Sequence, residues 1–272
     1  RHIKDAVTGF ERHTLAGRSL GTLATPGLGS AGLSTEDDRT EAFMSYSSYN
    51  EPRSIYRVDL ASGERTLWER PDVPVDPAAV SVTQAFTTSR DGTRVPYFLI
   101  HGKTVVPDGN NPCLIYGYGG FNISMEPRFS ATNFPWLEAG GVYVVASLRG
   151  GGEYGEDWHR AGMLESKQNV FDDLYAVAEQ LVEDRWTTPE RLAVMGGSNG
   201  GLLTGVAATQ RPDLFNCVVS SVPLLDMLRY QNFLMARFWV PEYGSSEDPE
   251  QFAWLKAYSP YHNIKTGTSY PA

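Results

Sequence analysis

The sequence is poor in cysteine and has no long apolar run. Its two cysteines, Cys113 and Cys217, both stand in apolar surroundings, and one pair defines neither a disulfide framework nor a zinc site. Two buried thiols are the simplest interpretation. No apolar run approaches the ~20 residues that a membrane-spanning helix requires. We therefore expect no metal site and no membrane partner.

Positive charge is also in short supply. The 272 residues contain 23 Lys and Arg against 32 Asp and Glu, which gives a net charge of −9. A chain this acidic is not drawn to phosphate backbones, so nucleic acid is a poor candidate partner. The composition is otherwise ordinary for a globular protein, and the length allows one or two domains.

The first part of the chain has the pattern of β-structure. Ser54–Leu60 alternates in character, Ala61–Glu64 contains a glycine turn, and Arg65–Trp68 returns, which predicts a hairpin. Such hairpins build propeller blades, and β-sandwiches use the same unit. Three prolines then fall between positions 71 and 77. Because proline resists both helix and central strand, we place a domain boundary there, between residues 1–78 and 79–272.

Short apolar strands alternate with helical patterns after this boundary. A hairpin is predicted around Asp91 and Gly92, and a helix over Val170–Trp186, where apolar residues follow helical spacing. The predicted strands are Cys113–Tyr116, Val142–Ser147, Leu192–Met195 and Cys217–Val222. This alternation predicts an α/β fold with a mostly parallel sheet and helices on both faces.

The most informative motif is a G-x-S-x-G sequence at Gly196, Ser198 and Gly200. An apolar strand precedes it and a helix-like stretch, Leu202–Thr209, follows, as the nucleophile elbow of a serine hydrolase requires. The serine of such a turn sits in a strained backbone conformation, and glycine avoids collisions two residues away on either side. The following helix directs free N–H groups, Asn199 among them, at a developing oxyanion.

A second glycine-rich motif, Gly150–Gly155, fits G-x-G-x-x-G and follows a strand. A dinucleotide site is therefore a formal alternative. Glu153 would place a negative charge against a pyrophosphate, and no regular helical pattern opens directly after the loop. We prefer a structural glycine-rich loop.

A general base for Ser198 is harder to find. His262 is the one histidine that follows the serine, and it lies in a polar turn with no strand before it. The aspartates in this part of the chain are Asp213, Asp226 and Asp248, each with an ordinary structural explanation. Since hydrolases of this fold order their triad Ser, Asp, His on successive loops, we expect both partners beyond Ala272, in a longer polypeptide of which this chain is a fragment.

Four segments together resemble the prolyl oligopeptidase family of serine peptidases. They are Leu114–Asn122, Arg149–Gly155, Gly196–Gly201 and Gln210–Phe215. The resemblance is specific from about residue 80 onward. It implies an α/β-hydrolase (peptidase) domain at 79–272, incomplete at its C-terminus, and assigns residues 1–78 to the last blades of a β-propeller domain whose earlier part is absent.

The family resemblance also implies an activity and a set of site residues. It implies a serine endopeptidase that hydrolyses short peptides on the carboxyl side of proline through an acyl-enzyme on Ser198, without a cofactor. It assigns the Tyr118 hydroxyl and the Asn199 N–H as oxyanion donors. It further implies a proline pocket, in which Trp239 stacks on the ring and the other walls are Phe121, Tyr243, Leu224 and Met235. Related oligopeptidases with other specificities usually carry alanine or tyrosine after the serine, so Asn199 with Trp239 favours proline.

Two other functions remain open from the sequence. The elbow cannot distinguish an amide from an ester, so an esterase or acyl hydrolase of the same fold is one alternative. The other is an inactive fragment or interaction module, because these residues offer Ser198 no convincing base. We expect a monomer in the full-length form and a cytoplasmic location, with the periplasm as the alternative.

Overall fold

A computed structural model describes all 272 residues, and antiparallel strands dominate the first 69 of them. Three strands form one sheet and the next four form a second, in sequential order. The strands are β1 (His2–Lys4), β2 (Val7–His13), β3 (Ser19–Leu23), β4 (Ser30–Thr35), β5 (Glu41–Ser48), β6 (Glu51–Asp59) and β7 (Arg65–Glu69). Buried residues alternate with more exposed ones along β5 and β6, so one face of the second sheet is apolar. This four-stranded meander has the form of a propeller blade, and it contains the predicted hairpin as β6 and β7.

A six-stranded sheet forms the centre of the remaining chain, in the order β13-β12-β10-β11-β9-β8. Its strands are β8 (Val80–Thr88), β9 (Arg94–Gly102), β10 (Cys113–Tyr116), β11 (Val142–Ala146), β12 (Leu192–Gly197) and β13 (Cys217–Ser221). The helices are α1 (Phe134–Glu138), α2 (Glu156–Arg160), α3 (Gln168–Glu183), α4 (Asn199–Gln210), α5 (Val240–Tyr243) and α6 (Pro249–Tyr258). Pairing from β11 to β13 is parallel, and β8 and β9 add an antiparallel hairpin. The predicted mostly parallel α/β fold is confirmed, and the antiparallel pairing of β8 and β9 makes the sheet mixed.

Both faces of the six-stranded sheet are covered, as the alternation of side chains along the strands requires. In β11, Val142 and Val144 face a large core that includes α3 and α4, whereas Tyr143 and Val145 face a smaller one. The smaller core contains residues of α1 together with Ala6 and Tyr49 from the first part of the chain. The first part of the chain, residues 1–69, therefore packs on the sheet that carries the serine.

Two details differ from the sequence predictions. Helix α3 ends at Glu183 rather than Trp186, because Arg185 adopts a left-handed φ of 61° that stops the helix. Cys113 is buried in β10, but Cys217 is only half-buried because β13 is the outermost strand. No helix has the length and apolar character needed to cross a bilayer.

A buried ion cluster fixes the loop that follows β11. The Arg149 guanidinium donates to the fully buried carboxylate of Asp173 in α3, with Nη2 2.6 Å from Oδ1. It also contacts Asp91 in the turn between β8 and β9 and donates to Ser89 Oγ at 3.1 Å. Because a charge at such depth is tolerated only when it is paired and hydrogen-bonded, this one arginine ties a hairpin turn, a helix and the glycine-rich loop together.

Glu153 is a second buried ionisable residue in the same loop, and it has no partner of opposite charge. Its Oε1 accepts a 2.8 Å hydrogen bond from the Met125 N–H, and its Oε2 has no partner. No cation compensates the carboxylate, so burial raises its pKa to about 7. The folded chain thus favours the protonated acid.

We predict that Glu153 makes the fold less stable as the pH rises. Its folded pKa lies above that of an exposed glutamate, so its contribution is fully present below about pH 4.3 and is lost as the pH passes 7. Glu153→Gln is neutral throughout, so urea unfolding between pH 4.5 and 8 should show a flatter profile than in the unchanged chain. The exposed Glu183→Gln is the control. An identical pH profile for Glu153→Gln and the unchanged chain would contradict this assignment.

Candidate active site

Ser198 occupies a one-residue turn between strand β12 and helix α4. Its backbone angles are φ 57° and ψ −116°, a conformation that side chains rarely adopt and that persists only when the surroundings impose it. Its N–H donates to the Ser221 carbonyl at 2.9 Å, and its own carbonyl accepts from Gly201 and Leu202. The side chain is exposed. This is the geometry of a nucleophile elbow.

Close backbone contacts explain the glycines on either side of the serine. A Cβ on Gly196 would lie 2.3 Å from the Gly200 carbonyl oxygen, and a Cβ on Gly200 would lie 2.6 Å from that of Gly117. Since these atoms belong to the main chain, no side chain can move aside to make room. The elbow therefore requires glycine at both positions.

Tyr118 reaches the same edge of the sheet by parallel pairing. Tyr116 of β10 pairs in parallel with Met195 of β12. The segments that follow the two strands therefore leave the sheet side by side. The side-chain Nδ2 of Asn199 donates to the Tyr118 carbonyl oxygen at 2.5 Å, which leaves the main-chain N–H of Asn199 out of this contact. Burial, and then the charge of Glu242, raise the pKa of Tyr118. Its hydroxyl stays protonated near neutrality and can donate to a developing oxyanion, as can the first amide of α4.

Three of the predicted pocket residues form an aromatic group beside the elbow. The ring centroid of Phe121 lies 6.4 Å from that of Trp239 and 5.5 Å from that of Tyr243, both in edge-to-face arrangements. Phe121 and Trp239 are half-buried, so each has surface to offer a substrate. Tyr243 is completely buried, and its hydroxyl donates to Asn199 Oδ1 at 2.8 Å. Tyr243 thus links Phe121 to the elbow, and its role as a pocket wall stays a prediction.

The other two predicted pocket residues lie in the loops after β13. Leu224 is half-buried and packs against the large core, and the preceding Pro223 lies against Gly201 in the first turn of α4. Met235 is 62% exposed and precedes the short helical turn that contains Trp239. Their roles as pocket walls stay predictions.

His262 forms its contacts away from Ser198. Its Nδ1 lies 2.9 Å from Ser259 Oγ and 3.9 Å from Asp226 Oδ1. A catalytic triad engages the two opposite nitrogens of the imidazole, whereas here both neighbours share one nitrogen. Ser259 is also fully buried, and its hydroxyl accepts from the Met227 N–H. This group holds a turn in place, and no hydrogen bond joins His262 to Ser198.

The glycine-rich loop Gly150–Gly155 packs against the Tyr118 segment. A Cβ on Gly150 would lie 2.7 Å from the Gly119 carbonyl oxygen, and Glu153 points into the protein. The helix that follows, α2, has only five residues. These contacts favour the structural interpretation of the motif over a dinucleotide site.

Three residues near the site carried no signal in the sequence. Lys167, Glu242 and His159 form a buried network beneath Gly119 and Phe121. Charged side chains are by default expected at the surface, so only their contacts in the fold distinguish them.

This fold and this site define an α/β-hydrolase domain with a serine at its nucleophile elbow, joined to propeller strands. Family models agree. The model of the prolyl oligopeptidase family matches residues 127–272, and that of its N-terminal β-propeller domain matches residues 2–71. The chain belongs to the prolyl oligopeptidase family.

Individual relatives are similar over the whole chain. A prolyl endopeptidase of Elizabethkingia miricola is 41% identical over 273 residues, which cover 100% of this chain and 39% of that protein. A solved structure from work on two prolyl endopeptidases superposes with a TM-score of 0.92 at 51% identity, covering 99% of this chain and 40% of that one. The structure of prolyl oligopeptidase B of Galerina marginata superposes with a TM-score of 0.91 at 34% identity, covering 98% of this chain and 39% of that one. The chain thus spans about two fifths of the length of these relatives.

The glycine contacts predict a sharp contrast between neighbouring positions. Gly196→Ala places a methyl group against the Gly200 carbonyl, so we expect a loss of about 1–3 kcal/mol in unfolding free energy, as for an overpacked core. At Gly197 a Cβ would lie 3.6 Å from its nearest neighbour, an ordinary contact. Urea unfolding of both variants checks this, with Gly197→Ala expected to resemble the unchanged chain. Equal stability of the two variants would refute the steric explanation of the elbow.

Proposed function

We propose that the polypeptide containing these residues is a serine endopeptidase that hydrolyses short peptides on the carboxyl side of proline. The observation that carries the proposal is the strained turn of Ser198 at the start of α4, with the half-buried aromatic pair of Phe121 and Trp239 nearby. The relatives described above bear prolyl endopeptidase and prolyl oligopeptidase names, which supports the same substrate class.

The proposed reaction begins with attack of Ser198 Oγ on the carbonyl carbon of the prolyl residue. The oxygen of that carbonyl becomes an oxyanion, which accepts hydrogen bonds from the Asn199 N–H and the Tyr118 hydroxyl. Collapse expels the amine of the following residue and leaves an acyl-enzyme ester on Ser198. Water then hydrolyses the ester and frees the serine.

Proton transfer requires a general base that takes the Ser198 proton and returns it to the leaving amine. His262 has its contacts elsewhere, so we propose that the base and its carboxylate partner come from outside residues 1–272. The chain alone is then expected to show little or no turnover, since loss of triad members costs several orders of magnitude.

Proline selectivity follows from the character of the proposed pocket. Its walls at Phe121 and Trp239 are aromatic, and Leu224 adds an aliphatic side chain. Walls of this kind favour a compact ring, because a prolyl residue has no N–H that burial would leave unpaired. No contact in the site specifically favours the esterase alternative. The monomeric state and the cytoplasmic location stay predictions.

We expect the longest natural polypeptide that contains these residues to cleave a Gly-Pro amide reporter and to react with a fluorophosphonate at Ser198. An arginyl reporter should be cleaved far more slowly. Ser198→Ala should abolish both labelling and turnover. Residues 1–272 alone, which are expected to lack the general base, should show little or no turnover. A long form that turns over arginyl but not prolyl reporters would refute the specificity, and one that hydrolyses only simple esters would make the esterase alternative correct.

The Tyr118 hydroxyl is expected to act in the transition state. Tyr118→Phe should lower kcat by about 10²–10³ with little change in KM, as for loss of one oxyanion donor. Steady-state kinetics with the prolyl reporter measure both constants. Tyr116→Phe, two residues earlier in β10, is the matched control and should leave kcat nearly unchanged. An unchanged kcat in Tyr118→Phe would remove this residue from the mechanism.

A further inference from the structure

The loop that joins Tyr118 to Phe121 is held in an unfavourable backbone conformation. Gly119 has a φ of 64°, and both Phe121 and Asn122 have a φ of 57°. Two successive left-handed residues with side chains are sparsely populated in free chains and need support from the surrounding structure. The loop carries a proposed oxyanion donor at one end and a proposed pocket wall at the other.

Two buried side chains of opposite charge provide that support. Lys167 Nζ donates to the Gly119 carbonyl oxygen at 3.0 Å, and the Phe121 N–H donates to Glu242 Oε1 at 2.9 Å. The two charged groups lie 3.6 Å apart, with side chains only 1% and 6% exposed. Together they hold the loop at both ends of its turn.

The second carboxylate oxygen of Glu242 is also occupied. His159 Nε2 lies 2.7 Å from Glu242 Oε2, and the His159 side chain is 15% exposed. Burial lowers the pKa of Lys167 more than the neighbouring Glu242 raises it, and the net value is about 8. Glu242 thus stabilises the charge of Lys167, and removal of the carboxylate would leave a buried ammonium without a counter-ion.

Helix α5 joins this network to the elbow. Glu242 and Tyr243 are consecutive residues, and while Glu242 accepts from the Phe121 amide, the Tyr243 hydroxyl donates to Asn199 Oδ1. Asn199 in turn donates to the Tyr118 carbonyl. One short helix therefore contacts both the loop of the proposed pocket and the residue that follows Ser198.

We propose that Glu242, paired with Lys167, is a positioning residue that fixes the Phe121 wall and thereby sets the preference for proline. Glu242 acts through the loop and does not touch the substrate. The inference rests on the proposed function for its effect on selectivity, but its effect on the loop is independent of any activity.

The test compares Glu242→Ala, Glu242→Gln and Leu181→Ala in the longest natural polypeptide that contains these residues. Alanine removes both the acceptor for Phe121 and the counter-ion of Lys167. Glutamine keeps an acceptor oxygen and loses only the charge. Leu181 is fully buried in α3, so its replacement by alanine destabilises the fold by leaving a cavity, without touching the loop.

Selectivity is measured as the ratio of kcat/KM for prolyl and alanyl amide reporters. A single methylene in an apolar pocket is worth about 10- to 200-fold in discrimination, so we expect a displaced Phe121 in Glu242→Ala to lower this ratio by about tenfold. Glu242→Gln should lie between Glu242→Ala and the unchanged protein. Leu181→Ala should lower the unfolding temperature but keep the ratio. An unchanged ratio in Glu242→Ala, or an equal fall in Leu181→Ala, would overturn the proposed control of selectivity.

Amide hydrogen exchange over residues 118–123 provides the readout that needs no turnover. We expect exchange there to be faster in Glu242→Ala by about tenfold or more, because an amide loses its acceptor and its loop opens locally, and to be unchanged in Leu181→Ala. Exchange like that of the unchanged protein would overturn the positioning role. If exchange rises as expected but even the unchanged protein ignores prolyl reporters, the proposed function fails while the support of the loop stands.

Discussion

The structure depends on main-chain segments that touch one another at the carboxyl edge of the parallel sheet. Gly200 lies against Gly196 and Gly117, at distances that leave no room for a side chain. This contact requires the sharp turn that forces Ser198 into its unusual conformation, and it sets the Tyr118 loop directly beside the start of α4. The positions of the serine, the phenol and the first helical amide are thus consequences of one packing constraint.

Loops made largely of glycine cannot hold themselves in place, because they have few side chains to pack. Buried charges supply the missing contacts. Arg149 and Asp173 fix the loop after β11, and Lys167 and Glu242 fix the one after β10. Such pairs cost free energy to desolvate, so their contribution lies in specifying geometry more than in stability. A strained site that is rigidly supported is what preorganised catalysis requires.

Much of this architecture could be predicted from local patterns. The alternation of apolar strands with a helical repeat predicted β10 to β13 to within two residues, and the G-x-S-x-G spacing predicted the elbow. The predicted end of α3 was three residues too late, because Arg185 adopts a left-handed conformation that cannot be predicted from its residue type. Tyr243 is completely buried, and its aromatic residue type alone does not indicate how deeply it is covered.

The sequence by itself determined the fold class, the family and the position of the strained serine. The fold class and the serine rest on short-range requirements: periodicity, turn chemistry, and glycine where main chains meet. The family rests on the resemblance of four segments to known members. Only the tertiary structure decided which charged residues are buried and paired. Lys167 and Glu242 are far apart in the chain and ordinary in composition, and their link to Gly119 and Phe121 exists only because α3, α5 and the loop after β10 converge. Long-range polar contacts of this kind depend on the whole packing arrangement, which no local pattern encodes.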